Sequence, residues 1–301
     1  MLSEKYIAGF LDSDGSIQVM WRPVDRGDTN PDIRRGYLSL DWSQKTCQDE
    51  VLFRIQECIG GKLETNVRGP YSRLRLFGSP AEMVLNRIKQ HLVIKRHYAE
   101  IVLDAIRKPQ SIEVIHAHLK AQRKVKSLPL PNYPSRKWLA GYFDGDGCIS
   151  VRIGKFRQSA QPAIEIVASE FDSEGVELLQ KVFGGSIGRF SVGKSNIVKW
   201  TLTMPPSKAN HFFGHFSKYL ITKREQANFI LGCARMGHYQ DGKNIQRTLK
   251  QLKAQPHRLN EPKVDVSLLL QDVNDVRVTP GPGYTSRRET KLMRQSDYSK
   301  E

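Results

Sequence analysis

The chain holds only four cysteines in 301 residues, Cys47, Cys58, Cys148 and Cys233, and no two of them form a C-x-x-C pair. Scattered singly through a chain of this size, they read as reduced thiols rather than a disulfide framework, and nothing resembles a zinc site. No apolar run approaches the roughly 18 residues that would cross a bilayer. A signal or transit pattern is also missing, since patterned structure starts within a few residues of Met1. These absences remove membrane and secretory roles and point to an intracellular setting. Acidic residues are in short supply as well. Against 47 Lys+Arg stand 31 Asp+Glu, a net charge of +16. An excess of that size favours a polyanionic partner, because each phosphate met by Lys or Arg releases condensed counterions.

What is present is a repeat. Residues 6–17 read YIAGFLDSDGSI and residues 138–149 read WLAGYFDGDGCI. Two further landmarks return in the same order at a nearly constant offset. Ile59-Gly60-Gly61-Lys62-Leu63 is echoed by Phe183-Gly184-Gly185-Ser186-Ile187, and Leu92-Val93-Ile94-Lys95-Arg96 by Leu220-Ile221-Thr222-Lys223-Arg224. The period is too long for a solenoid, so the chain is a duplicated domain.

Each copy carries the same coarse plan. Ser3 and Ser135 stand as N-caps of a short motif helix. Strand-like stretches follow at 16–22 with 36–43, and at 148–153 with 163–168. Helices are expected over 48–59 and 173–183, each ended by paired glycines. Strand pairs recur at 62–68 with 73–77, and at 186–192 with 197–204, before helices near 80–106 and 206–235. The order α-β-β-α-β-β-α, twice, predicts an α+β protein. We divide it into a first half (1–107), a linker (108–134) with a basic stretch and three prolines, a second half (135–236) and a basic extension (237–301). The extension reads either as an accessory DNA-gripping segment or as a disordered end.

An Asp-x-Asp-Gly segment has bland explanations. A lone Asp-Gly pair is usually a turn. A calcium loop of the EF-hand type needs a Glu six residues after the Gly, where this chain has Trp21 and Ile153. The two copies Ile7-Ala8-Gly9-Phe10-Leu11-Asp12-Ser13-Asp14-Gly15 and Leu139-Ala140-Gly141-Tyr142-Phe143-Asp144-Gly145-Asp146-Gly147 resemble the two signature motifs of a LAGLIDADG homing endonuclease in its single-chain form. The resemblance covers roughly residues 3–236. It implies two pseudo-symmetric αββαββα halves, each with a curved antiparallel sheet forming a DNA-binding saddle, and the motif helices packed between them.

The residues suit that role. Gly9 with Ser13, and Gly141 with Gly145, are small residues one helical turn apart, which lets two helix backbones approach closely. Helices packed in this way bring Asp14 and Asp146 to one site, where two carboxylates repel unless cations lie between them. The resemblance implies Mg²⁺, with Mn²⁺ or Ca²⁺ able to substitute, held by Asp14, Asp146 and the backbone carbonyls of Ser13 and Gly145. It further implies Gln44 as an orienter of active-site water. Ala168 falls at the matching position of the second half, and Glu170 is the candidate substitute. Lys95 and Lys223 match basic residues near the scissile phosphates. Asp12 and Asp144 are read as structural, capping the partner helix.

Strands of about ten residues reach roughly 33 Å, near one turn of duplex, so two halves would cover roughly 20 base pairs of double-stranded DNA. The candidates for DNA contact are Gln18, Arg22, Arg34, Arg35, Ser39, Arg68, Arg73 and Arg75 in the first half. In the second they are Arg152, Lys155, Arg157, Gln158, Arg189, Lys194, Lys199 and Thr203. Because the two sets differ, an asymmetric target is expected. The expected activity is metal-dependent, double-strand cleavage by a monomeric, intron-type enzyme in an organelle (chloroplast or mitochondrion) or a prokaryotic cytoplasm. The alternatives are an RNA-binding maturase on the same fold, with intron RNA as partner, and a non-catalytic DNA-binding regulator.

Overall fold

The computed structural model describes residues 1–23, 34–65, 69–107, 117, 120–121, 133–153, 160–169, 173–192, 195–203, 205–236 and 242–254. The first half opens with helix α1 (Glu4–Asp12), capped by the Ser3 hydroxyl accepting from the Tyr6 amide. Strands β1 (Gly15–Pro23) and β2 (Arg34–Lys45), helix α2 (Glu50–Ile59), strands β3 (Lys62–Glu64) and β4 (Tyr71–Phe77), and helices α3 (Ser79–Ile88) and α4 (Arg96–Arg107) follow. The second half repeats this with α5 (Arg136–Asp146), β5 (Gly147–Ile153), β6 (Ala160–Ser169), α6 (Ser173–Phe183), β7 (Ser186–Val192), β8 (Ser195–Thr203), α7 (Pro206–Phe216) and α8 (Arg224–Arg235). Ser135 caps α5 as Ser3 caps α1.

The protein is α+β, with two four-stranded antiparallel sheets ordered β1-β2-β4-β3 and β5-β6-β8-β7. Period-two burial explains why each sheet has one closed and one open face. Leu38, Leu40, Trp42, Leu74 and Leu76 of the first sheet are buried against helices, as are Ile149, Ile164, Ile166, Val198, Trp200 and Leu202 of the second. Their neighbours in sequence line the other face. The expected strand at 62–68 is shorter, Lys62–Glu64, with 66–68 outside the described residues.

The basic extension adds helix α9 (Gly242–Ala254), whose Ile245, Leu249 and Leu252 are buried against β5, β6 and α8. No described helix is long and apolar enough to cross a membrane. The linker, apart from residues 117, 120–121 and 133–134, and the end of the chain from 255 lie outside the described residues.

Candidate active site between the motif helices

Helices α1 and α5 pack directly on one another, and their small residues account for how closely. A Cβ on Gly9 would lie 2.0 Å from the Trp138 carbonyl oxygen, and one on Gly141 would lie 2.1 Å from that of Tyr6. The contact continues to the other end, where a Cβ on Gly145 would fall 2.0 Å from Ser13 Oγ. Only glycine allows this approach, so the sequence itself sets the helix separation and brings residues 13–14 against residue 145.

Asp12 and Asp144 are buried and serve as cross-braces. Asp12 accepts from the amides of Val93 (2.7 Å) and Lys95 (2.8 Å) and from the Trp138 indole N–H (2.8 Å). Asp144 accepts in the same way from the amides of Ile221 (2.6 Å) and Lys223 (2.9 Å) and from the Tyr6 hydroxyl (2.6 Å). Each carboxylate thus ties a loop of its own half to an aromatic side chain on the other helix, rather than capping that helix. Burial, then the charge of Asp144, holds the Tyr6 hydroxyl well above its ordinary pKa, so it stays a donor.

Asp14 and Asp146 follow at the helix ends. Asp146 is the last residue of α5, whereas α1 stops at Asp12 and Asp14 lies beyond its Ser13 cap. Burial raises the Asp14 pKa, while Lys223, Lys95 and the Gln44 hydrogen bond pull it back. Gln44 donates from Nε2 to Asp14 Oδ2 (3.2 Å). The strand registers pair Gln44 with Ser72 and Ala168 with Val198, so Ala168 occupies the equivalent position in the second sheet. Glu170 lies outside the described residues.

The two lysines sit under the helix ends. Lys95 Nζ donates to the carbonyls of Leu11 (2.8 Å), Ser13 (3.2 Å) and Gly15 (2.8 Å). Those three bonds use every proton of its ammonium, so Lys95 braces the motif turn beside the acid. Lys223 Nζ donates to the Asp144 carbonyl and to that of Gly145 (3.1 Å). Its pKa is lowered by burial, against the pull of Asp144, Asp14 and Asp146. Cations near a helix C-terminus satisfy its orphan carbonyls and oppose its dipole.

The donor set here is hard oxygen: two carboxylates and the carbonyls of Ser13 and Gly145, each of which keeps a second lone pair. Among the described residues, no group of three or more His, Cys, Asp or Glu side chains is placed so that it could hold a metal ion by itself. Two carboxylates with backbone carbonyls suit magnesium or calcium, and do not suit a soft metal. Buried Asp14 carries a destabilised charge that such a cation would relieve.

The expected DNA contacts divide. Gln18, Ser39, Arg73, Arg75, Lys199 and Thr203 lie on the open faces, with Gln18 donating to Ser16 Oγ (2.8 Å). Ser39 is on that face by register but 2% exposed. Arg189 pairs in register with buried Val198, and its guanidinium lies 3.8 Å from Glu177 on α6. It therefore belongs to the helix-covered face, because one residue of register reverses a side chain's direction. Arg22 pairs with Arg35, Arg34 with Pro23 and Arg152 with Gln161 at strand ends, and the structure describes their backbones alone. Arg68, Lys155, Arg157, Gln158 and Lys194 lie outside the described residues.

Four contributors escaped the sequence reading: Tyr6, Trp138, Asp41 and Glu165. The aromatics could have been found as the polar-tipped residues three places before each motif glycine. Asp41 and Glu165 could have been found as the single acids of β2 and β6, at outward positions of sheets expected to face a polyanion.

Residues 139–234 match the family model described as LAGLIDADG endonuclease. No curated protein sequence matches the chain. Among solved structures, the chain is similar to the LAGLIDADG homing endonuclease I-GzeII in complex with its DNA target (TM-score 0.60, 16% identity, 84% of this chain and 97% of that one). It is similar to the meganuclease I-AabMI bound to uncleaved DNA (TM-score 0.61, 16% identity, 84% and 98%). A third similar structure is I-SmaMI bound to an uncleaved DNA target in the presence of calcium ions (TM-score 0.59, 18% identity, 85% and 100%). At these identities the structural likeness is one of fold.

Proposed function

We propose that this chain, whose second half matches the LAGLIDADG endonuclease family model and whose described residues share the two-half fold of such enzymes, is a site-specific DNA endonuclease. It acts as a monomer, binds a long asymmetric duplex of roughly 20 base pairs across the two open sheet faces, and cuts both strands between the motif helices. An intron-type homing role is the context that fits this activity. The observation that carries the reading is the juxtaposition of the two motif ends, with Gly145 against Ser13 and the Asp14 amide. One duplex can thereby meet both acids at once.

Asp14, Asp146 and the carbonyls of Ser13 and Gly145 would hold divalent ions, with Mg²⁺ the expected one. When bound, such ions polarise a phosphate and make a coordinated water acidic enough to attack it. The protein's own residues do the positioning. Lys95 and Lys223 hold the backbone carbonyls of both motif ends in place, and Asp12 and Asp144 brace the loops from which those lysines extend. Gln44 fixes the orientation of the Asp14 carboxylate and favours its ionised form. Buried Lys223 adds positive charge near both acids, where phosphate charge develops.

The test is cleavage of a plasmid library carrying randomised sites, by the wild-type protein and by Asp14→Asn and Asp146→Asn, in Mg²⁺ and in EDTA. Discrete double-strand cuts that vanish in EDTA and fall at least about 10³-fold in either variant are expected. DNA that is bound but never cut would overturn the enzyme reading and leave a maturase or a regulator as the function.

A further inference from the structure

We propose that Asp41 is a specificity-determining positioning residue that holds Arg73 and Arg75 as a fixed pair of guanine-reading forks on the first sheet. This deepens the reading above and rests on its claim that the open sheet face meets DNA.

Asp41 sits on the open face of β2, between β1 and β4, yet only 4% of it is exposed. The cover comes from the two arginines. Arg73 Nη2 lies 3.1 Å from Asp41 Oδ2, and Arg75 Nε lies 3.1 Å from Asp41 Oδ1. Ser39 Oγ approaches the same carboxylate at 3.4 Å. Both arginine side chains remain 28% exposed. Three atoms of the cluster, Asp41 Oδ1, Arg73 Nε and Arg75 Nε, are buried without an aligned hydrogen bond among the described residues. One carboxylate therefore partly neutralises and steers two guanidinium groups, leaving the cluster with a net positive charge.

This arrangement separates affinity from specificity. A free arginine on such a face would seek the nearest phosphate and bind every sequence alike. Pinned by a carboxylate beneath it, the guanidinium is oriented in advance and partly neutralised, so phosphate gains less and a well-placed base edge gains more. Asp41 is too buried to accept a hydrogen bond from cytosine itself. Arginine read-out of this kind selects the O6 and N7 acceptors of guanine. Residues two apart on a strand are separated by about 6.6 Å, close to two steps of duplex, so the forks address base pairs about two apart.

The second sheet carries a reduced version. Glu165 occupies the register position of Asp41, and its Oε2 lies 2.8 Å from Lys199 Nζ, the counterpart of Arg73. Opposite Glu165 stands Thr201, where the first sheet has Arg75. An ammonium is a rotatable point charge and discriminates less sharply than a planar fork. At this register position, guanine read-out is therefore sharper under the first sheet.

The experiment is binding selection from a randomised duplex pool in Ca²⁺, with the bound fraction sequenced, for wild-type protein and for Asp41→Asn, Arg75→Lys and Glu165→Gln. Wild type should select guanine at two positions of one half-site, each by about tenfold or more. Asp41→Asn should lose most of that discrimination at both positions, bind unselected DNA more tightly and leave the rest of the site unchanged. Arg75→Lys should lose it at one position, and Glu165→Gln should shift the other half-site by about threefold or less. A guanine profile unchanged in Asp41→Asn and Arg75→Lys would overturn the proposal, and if Asp41→Asn fails to fold, Arg75→Lys decides alone. A flat wild-type profile would instead remove the site-specific reading on which the proposal stands.

Discussion

Gln44 of the first half donates to Asp14, and the same register position of the second half holds Ala168. Lys95 spends its ammonium on three carbonyls of the motif turn, whereas Lys223 makes two such bonds and is also drawn to Asp14 and Asp146. Elsewhere the halves match closely. Asp12 and Asp144 each accept two loop amides and one aromatic donor from the opposite helix. Gly9 and Gly141 each meet the other helix's carbonyl. The halves thus agree where each constrains the other and diverge where they would face substrate. A shared interface forces symmetry; an asymmetric target does not.

The sharpest test of the symmetric part is to crowd it. Gly9→Ala and Gly141→Ala each place a methyl about 2 Å from a backbone carbonyl, and neither backbone can yield without moving a whole helix. Each should destabilise the protein by more than about 3 kcal/mol, beyond ordinary overpacking, and by similar amounts. Chemical denaturation measures this, and tolerance of one substitution but not the other would break the equivalence.

The halves also differ in how they complete their helical layer. In the first, α4 packs on β1 and β2 and buries a stripe of Ala99, Val102, Leu103 and Ala105. In the second, α8 is buried nearly all round, from Gln226 to Ala234, because α9 from the extension lies against it and against β5 and β6. Leu249→Ala should therefore cost about 3 kcal/mol, the loss of a core leucine. An unchanged denaturation midpoint would make α9 a decoration.

That difference was partly legible. The α8 segment ANFILGCA is apolar on more than one face, which signals a further layer over it, but local patterning cannot say that the cover comes from beyond residue 241. The repeat singled out both acids and both lysines, because in-register landmarks carry three-dimensional equivalence, whereas Gln44, with Ala168 at its repeat position, came from the family resemblance alone. Face assignment by alternation failed for Arg189, where the register of β7 rather than residue type decides the direction. Ion pairs such as Asp41 with Arg73 join residues far apart in the chain, and no local period announces them.

Under the endonuclease proposal, the Gln44–Ala168 difference makes the two strands unequal substrates, and a nicked product should precede the double-strand break. Gln44→Ala should slow the faster strand by about tenfold, the value of one hydrogen bond to a charged group, and bring the two rates together. The pH profile adds a sign. Gln44 stabilises ionised Asp14, so its loss moves an already raised pKa higher, and the acid limb for that strand alone shifts to higher pH. Strand-resolved cleavage across pH 5–8 measures both; equal slowing of both strands would contradict the assignment of Gln44 to one acid.

The smallest expected effect concerns a brace that α9 supplies to the edge strand of the second half. Lys253 Nζ donates to the Ile149 carbonyl on edge strand β5 (2.6 Å), and the Gln48 amide donates to the Lys253 carbonyl (3.4 Å). The extension therefore touches both halves at one point. Strand β5 begins at Gly147, directly after Asp146, so holding its edge also holds that acid. Lys253→Met should lower global stability by only about 1 kcal/mol, one charge-assisted hydrogen bond at a partly exposed edge, and Gln48→Ala by less. The informative readout is local. Amide exchange should speed in β5 and leave β1 unchanged, while cutting slows only on the strand served by Asp146. Equal acceleration in β1 and β5 would mean that Lys253 adds general stability and has no part in setting the second acid.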